Sequence, residues 1–124
     1  MQDYRIQRKH IEDLILTCYL DQNLSNELDQ IEFEDYKIPY ELFKSTRTAK
    51  LIAKAIYNLQ TENKPIDDLN VICYIKEHTT LNEMEFLEIT SHYPVTFDTM
   101  KKYIKQLEEL NEREEKEKIL REII

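Results

Sequence analysis

The sequence predicts an all-α protein, a small six-helix bundle whose last helix is long. Three observations favour this fold class. None of the 124 residues is glycine, although average usage of about 7% would give roughly nine. Apolar residues recur at intervals of three and four along most of the chain, as they do on amphipathic helices. Asn, Asp and Pro stand where these periodic segments end, so the helices have stop signals that do not need glycine.

The clearest helix is predicted from about Ser45 to Thr61. Either Ser45 or Thr46 can cap its first turn. Its apolar residues form one broad stripe: Leu51, Ile52, Ala55, Ile56 and Leu59. A stripe of this width needs neighbouring elements on several sides. We therefore interpret this segment as the central helix of the bundle.

A turn with a proline separates the central helix from the next one. Pro65 disfavours helical backbone at Lys64, so the central helix has to end before that residue. Ile66 is apolar, and the side chain of Asp67 can accept the free N–H groups of a following helix. The sequence therefore predicts a sharp turn with an N-cap at Asp67.

The remaining periodic segments predict five more helices. Their approximate bounds are Tyr4 to Leu20, Leu24 to Ile31, Asp67 to His78, Leu81 to Ser91 and Phe97 to Ile124. In the helix from Tyr4 the residues expected to face the core are Ile11, Leu14, Ile15, Cys18 and Tyr19, and in the helix from Leu24 they are Leu24, Leu28 and Ile31. In the helix from Asp67 they are Leu69, Ile72, Cys73 and Ile75. In the helix from Leu81 they are Leu81, Met84 and Leu87, with Phe86 and Ile89 flanking. Residues 32–44 are expected to form an ordered connection, with one helical turn near Tyr40 to Phe43.

The last predicted helix changes character along its length. Its first part carries the core-facing residues Met100, Tyr103, Ile104, Leu107 and Leu110. Residues 111–118, NEREEKEK, contain no apolar side chain, and a second apolar stripe follows at Ile119, Leu120, Ile123 and Ile124. We therefore expect a helical globule over residues 1–110. Residues 111–124 are expected to leave it and to bury the second stripe on a second copy of the chain or on the rest of a hairpin. A frayed helix end is the alternative.

The charge of the chain argues against nucleic acid as a direct partner. Its formal net charge is −8, and phosphate binding needs clustered Lys and Arg. The basic cluster of Arg5, Arg8, Lys9 and His10 is interpreted as a solvated face of the first helix. A chain without glycine also has no P-loop and no dinucleotide-binding fingerprint, so we expect no nucleotide and no cofactor.

No pattern of residues predicts catalysis or metal binding. There is no Ser/His/Asp arrangement with local support, and Cys73 and His78, five residues apart, fall on different helix faces. Cys18 and Cys73 lie within apolar helical segments and are expected to be buried, reduced thiols. No apolar run approaches the ~20 residues that span a membrane, and the N-terminus is too polar for a secretory signal. We therefore expect a cytoplasmic protein.

Several short motifs occur in an order that resembles a known family. They are Glu12-x2-Ile15-Leu16-x3-Leu20, Leu51-Ile52-x3-Ile56-x2-Leu59, Lys64-Pro65-Ile66-Asp67, Val71-x3-Ile75, Pro94 leading to Met100 and Tyr103, and finally Leu120-Arg121-Glu122-Ile123-Ile124. In this order they resemble the N-terminal domain of DnaB-type replicative DNA helicases, over roughly Glu12 to the C-terminus. The chain departs from that family at Thr17 and Asn63, where the family has glycine, and in a longer stretch between Tyr103 and Leu120.

The resemblance implies a six-helix globule followed by a helical hairpin. Domains of this family pair through their hairpins into one tier of a ring, and that tier contacts primase and helicase-loader proteins. The chain carries no ATPase motif of its own. The function expected from the resemblance is therefore that of a non-catalytic interaction and oligomerisation domain of the DNA replication machinery.

Other functions stay open at this point. The helicase-binding C-terminal domain of bacterial primase resembles the same fold and has a similar C-terminal hairpin, although the Pro-Ile-Asp turn favours the helicase. A helical adaptor unrelated to replication would share the same periodicity. A small enzyme that uses acidic residues is disfavoured, because the carboxylates show no convergent spacing.

Overall fold

The computed structural model describes residues 4–21, 32–33 and 35–123, and regular structure within these residues is helical throughout, with no strand. The helices are α1 (Tyr4–Leu20), α2 (Arg47–Thr61), α3 (Asp68–His78), α4 (Glu83–Thr90) and α5 (Phe97–Ile123), with a short 3-10 helix at Tyr40–Leu42. The predicted all-α class is confirmed. The helix predicted from Leu24 to Ile31 lies outside the described residues. None of the described helices combines the length and apolar character that crossing a bilayer requires.

Two helices share the centre of the bundle. α1 packs against α2, α4 and α5, and α2 packs against α1, α3, α4 and the 3-10 helix. Every residue from Ile11 to Leu20 is buried, so α1 is covered on all sides over its last ten residues. The predicted central helix, α2, buries one broad face and leaves the opposite face open to solvent. α3 lies on the outside of α2, whereas α5 lies against α1.

Short polar side chains cap the starts of four helices, as an N-cap does. The side chain of Thr46 accepts a hydrogen bond from the backbone N–H of Ala49. Asp67 accepts from Asn70 N at 2.8 Å. Asn82 caps α4 by accepting from the backbone N–H of Glu85. Thr96 caps α5 by accepting from the backbone N–H of Thr99. The cap predicted at Asp67 is therefore confirmed, and Thr46 is the one of the two predicted candidates that caps α2.

Asn63 ends α2 in the backbone conformation that glycine usually supplies. Its φ angle is 55°, in the left-handed region that Asn tolerates better than most residues. The N–H of Asn63 donates to Gln60 O, and the N–H of Lys64 donates to Leu59 O at 2.9 Å. This pair of hydrogen bonds is a Schellman motif. The chain therefore stops its central helix without glycine.

Gln60 fixes the connection between α1 and α2 to the core. Its side-chain oxygen accepts from Ile38 N at 2.9 Å, and its side-chain nitrogen donates to Phe33 O and Tyr36 O. Phe33, Ile38 and Phe43 are buried, and the 3-10 helix forms the helical turn predicted near Tyr40 to Phe43. The connection is ordered over residues 35–46, as its aromatic content predicts.

The predicted inner face of α4 is wrong. Phe86 is 1% exposed and Ile89 is fully buried, whereas Met84 and Leu87 are 70% and 58% exposed. Apolar side chains occur all round this eight-residue helix, so its periodicity does not define one face. The hydroxyl of Thr17 on α1 donates to the carbonyl oxygen of Ile89 at 3.0 Å. The side of α4 that meets the core is therefore the side next to α1.

α3 buries a narrower face than predicted. Val71 and Ile75 are buried and Ile72 is partly buried, but Leu69 is exposed. The thiol of Cys73 is exposed, so its predicted burial is wrong, whereas Cys18 is buried and free as predicted. Because α3 packs mainly on α2, only the side that meets α2 is covered.

Candidate functional site

The sequence-predicted interface lies on the part of α5 that extends beyond the globule. Leu110 is the last buried residue of the helix, and every described residue from Glu112 onward is exposed. Ile119, Leu120 and Ile123 are 48%, 60% and 76% exposed. The fourth predicted member, Ile124, lies outside the described residues. We call Ile119, Leu120 and Ile123 the distal stripe.

The distal stripe faces away from the globule. The residues of α5 that pack into the core are Phe97, Met100, Ile104, Leu107 and Leu110. At about 100° of rotation per residue, the centre of the distal stripe lies about 150° around the helix from the centre of this core face. The stripe therefore cannot turn onto its own globule while α5 stays helical. It is available to another molecule.

A buried arginine fixes the point at which α5 leaves the globule. Arg8 on α1 is 3% exposed, and its guanidinium lies 2.6 Å from Asn111 Oδ1 and within 3.3 Å of Glu114. It also donates to the carbonyl oxygen of Leu42 and lies 3.5 Å from Glu12 Oε2. Five donors in one rigid plane allow such a group to join three segments of chain.

The interpretation of the basic cluster as a solvated face is therefore wrong at Arg8. Lys9 is partly buried and only His10 of the cluster is exposed among the side chains described; the side chain of Arg5 lies outside the described residues. The partners of Arg8 come from residues 42 and 111–114, which the local pattern of α1 does not reveal. The i, i+4 spacing of Arg8 and Glu12 was the one local signal of an ion pair.

Glu12 is the acceptor on which the start of α2 depends. Its carboxylate is fully buried and accepts from the backbone N–H groups of Lys44 and Ser45, each at 3.1 Å. The hydroxyl of Ser45 donates at 2.9 Å. Burial raises the pKa of Glu12, although these hydrogen bonds and the nearby Arg8 offset part of that rise. The arrangement is structural, because the buried carboxylate is engaged by groups of the protein itself.

A second buried carboxylate, Asp13, lies beside α4. Lys9 Nζ contacts Asp13 Oδ2 at 2.7 Å and His92 Nε2 lies 3.6 Å away. The other oxygen, Oδ1, has no hydrogen-bond partner among the residues described. Burial raises the pKa of Asp13, and the interactions with Lys9 and His92 lower it by less. Within the described part of the chain, no three His, Cys, Asp or Glu side chains are placed to hold a metal ion.

The raised pKa of Asp13 predicts a pH dependence of stability. Folded chains keep the Asp13 proton at pH values where unfolded chains have lost it, so the free energy of unfolding falls as the pH rises from 3.8 through the folded pKa. Asp13→Asn should make this decline shallower, because Asn does not titrate. Urea unfolding at a series of pH values measures the slope. Asp98→Asn, which changes an exposed carboxylate, should leave it unchanged, and equal slopes for the wild type and Asp13→Asn would contradict the prediction.

Comparisons of the chain with models of known protein families, with curated proteins and with solved structures found no match. The resemblance to the N-terminal domain of DnaB-type helicases therefore stays a prediction that rests on the order of short motifs. The structural features available for a functional proposal are the exposed distal stripe, the buried anchor at Arg8 and the surface of the helical globule.

Proposed function

We propose that the chain is a non-catalytic interaction and oligomerisation domain that associates with a second copy through Ile119, Leu120, Ile123 and Ile124. The observation that carries the proposal is the exposed distal stripe on a face turned away from the globule. Each aliphatic side chain left in water forgoes roughly 1.5–3 kcal/mol of burial. A second copy supplies a cover for these side chains without any other component.

The proposal assigns no catalytic residue. The described carboxylates most completely removed from solvent, Glu12 and Asp13, are engaged by backbone N–H groups, Ser45, Arg8, Lys9 and His92. Neither carboxylate can reach a substrate from solution. The role that we propose is therefore one of binding through exposed surfaces.

Within this role, we assign the domain to the DNA replication machinery of the cytoplasm, as the collar domain of a replicative helicase that contacts primase or loader. The support is the motif order described above, together with the capped Pro-Ile-Asp turn at Asp67 and the long α5. On this assignment α5 continues into a helical hairpin and the globule has a sixth helix. The reading frame around these residues tests the assignment. An adjoining ATPase domain supports the helicase collar, and adjoining primase domains support the primase alternative. If neither kind of domain adjoins, a helical adaptor is the function that is left.

Self-association is tested by Leu120→Glu combined with Ile123→Glu, the stripe variant. Two carboxylates in the distal stripe oppose its burial, so light scattering at tens of micromolar should show a shift from the wild-type mass towards monomer. The matched control is Leu87→Glu combined with Tyr93→Glu, which places the same charges on two exposed apolar residues elsewhere and should keep the wild-type mass. A stripe variant of unchanged mass, or a wild type that is monomeric at this concentration, would count against the proposal.

A further inference from the structure

A groove of about 360 Å³ lies between α2 and α3. Its apolar floor includes Leu51, Ala55 and Ile75. Its walls are held in place before any partner arrives, because Asn58 donates a hydrogen bond of 2.8 Å to the hydroxyl of Tyr74. The ring of Tyr74 in turn stacks on His78, with ring centroids 4.6 Å apart. A preformed groove loses little conformational freedom when it is filled.

The α2 side of the groove is positively charged in a chain of net charge −8. Lys54 lines the groove, and α2 carries two further cations, Arg47 and Lys50, and no acidic residue. Arg47 is held by the hydroxyl of Thr79 and the carbonyl oxygen of Thr80. Lys50 and Lys54 are exposed and pair with no residue in the described ranges. The groove therefore suits an apolar segment that carries carboxylates beside its apolar side chains.

The end of α5 has this chemistry. Glu115 and Glu122 are exposed and lie along one edge of the distal stripe, about 40° and 60° around the helix from Ile119. The stripe itself presents exposed aliphatic side chains. Placed in the groove, such a helix can bring its acidic edge to the lysines of α2 while its aliphatic face meets Leu51 and Ile75.

The groove that receives this helix end has to belong to another copy. α5 packs on α1, whereas the groove lies between α2 and α3, and the distal stripe faces away from its own globule. We infer that the end of α5 in one copy docks into the α2–α3 groove of a second copy, with Glu115 and Glu122 facing Lys50 and Lys54. The inference rests on the proposed self-association and names its partner surface. Each contact uses the groove of one copy and the distal stripe of the other, which leaves one groove and one distal stripe unoccupied, so the contact closes a ring or extends a chain of copies.

The test uses a groove variant, Lys50→Glu combined with Lys54→Glu, beside the stripe variant of Leu120 and Ile123. Reversing two exposed charges should weaken self-association by about tenfold or more, with the far-UV circular dichroism spectrum unchanged. Because the groove variant keeps an intact stripe and the stripe variant keeps an intact groove, their equimolar mixture should form a 1:1 dimer although each alone is monomeric. Sedimentation velocity measures all three samples.

The outcomes separate the inference from the proposed function. If the stripe variant is monomeric and the groove variant assembles like the wild type, the groove is not the partner surface and self-association itself stands. If both variants are monomeric and their mixture stays monomeric, head-to-tail docking is overturned. If the stripe variant still assembles, both proposals fail. Lys102→Glu combined with Lys105→Glu, two exposed lysines of α5, makes the same charge change outside the groove and should assemble like the wild type.

Discussion

We expect Glu12→Ala to lower the free energy of unfolding by about 3–5 kcal/mol, the cost typical of removing one partner from a buried ion pair. The change removes the acceptor of two backbone N–H groups, at Lys44 and Ser45, and the carboxylate beside Arg8. All of these groups lie at the junction of α1, the connection and α5. The loss should appear as a lower midpoint in urea unfolding followed by circular dichroism.

Two control variants separate the parts of this effect. Glu12→Gln keeps an acceptor oxygen but removes the charge, so it should cost less than Glu12→Ala. Glu114→Ala removes the partly exposed partner of Arg8 and should cost at most about 1 kcal/mol, as expected for solvent-accessible pairs. A Glu12→Ala variant no less stable than Glu114→Ala would show that the buried carboxylate does not support the junction.

Phe86→Ala should also cost about 3–5 kcal/mol, because it empties a fully packed site in the core. Met84→Ala, two residues earlier on α4, should change stability by no more than about 0.5 kcal/mol, since exposed substitutions usually have small effects. Urea unfolding of the two variants measures the difference directly. Equal losses of stability for both variants, or the larger loss at Met84, would mean that the face of α4 with Met84 and Leu87 packs against the core.

The fold follows from the sequence wherever the information is local. A helix start needs only a cap and its own first turn, so Asp67 and the Ser45–Thr46 pair identify two starts correctly. The stop at Asn63 is equally local. α4 is different, because a helix of eight residues with apolar side chains on several faces takes its orientation from the surface it packs on. The choice of Phe86 over Met84 is made by α1, more than sixty residues earlier in the chain.

The candidate site divides in the same way. The distal stripe could be predicted, because its apolar spacing and the polar run before it lie within one helix. The anchor at Arg8 could not, since Asn111 is more than a hundred residues away and its contact depends on how α1 and α5 pack. The groove could not be predicted, because its floor combines residues of α2 and α3. Lys54 looks like an ordinary solvated residue until α3 is placed beside it.

The unbroken helix between Leu110 and Ile119 also determines the symmetry that an assembly can have. Each residue of this segment advances the helix by about 1.5 Å and turns it by about 100°, so nine residues set both a distance of about 14 Å and a direction. In a head-to-tail assembly these two quantities become the rise and the rotation from one subunit to the next. A single residue inserted or deleted between Leu110 and Glu115 would therefore alter the number of subunits that closes a ring, or turn a ring into a helix, without changing the residues of either contact surface.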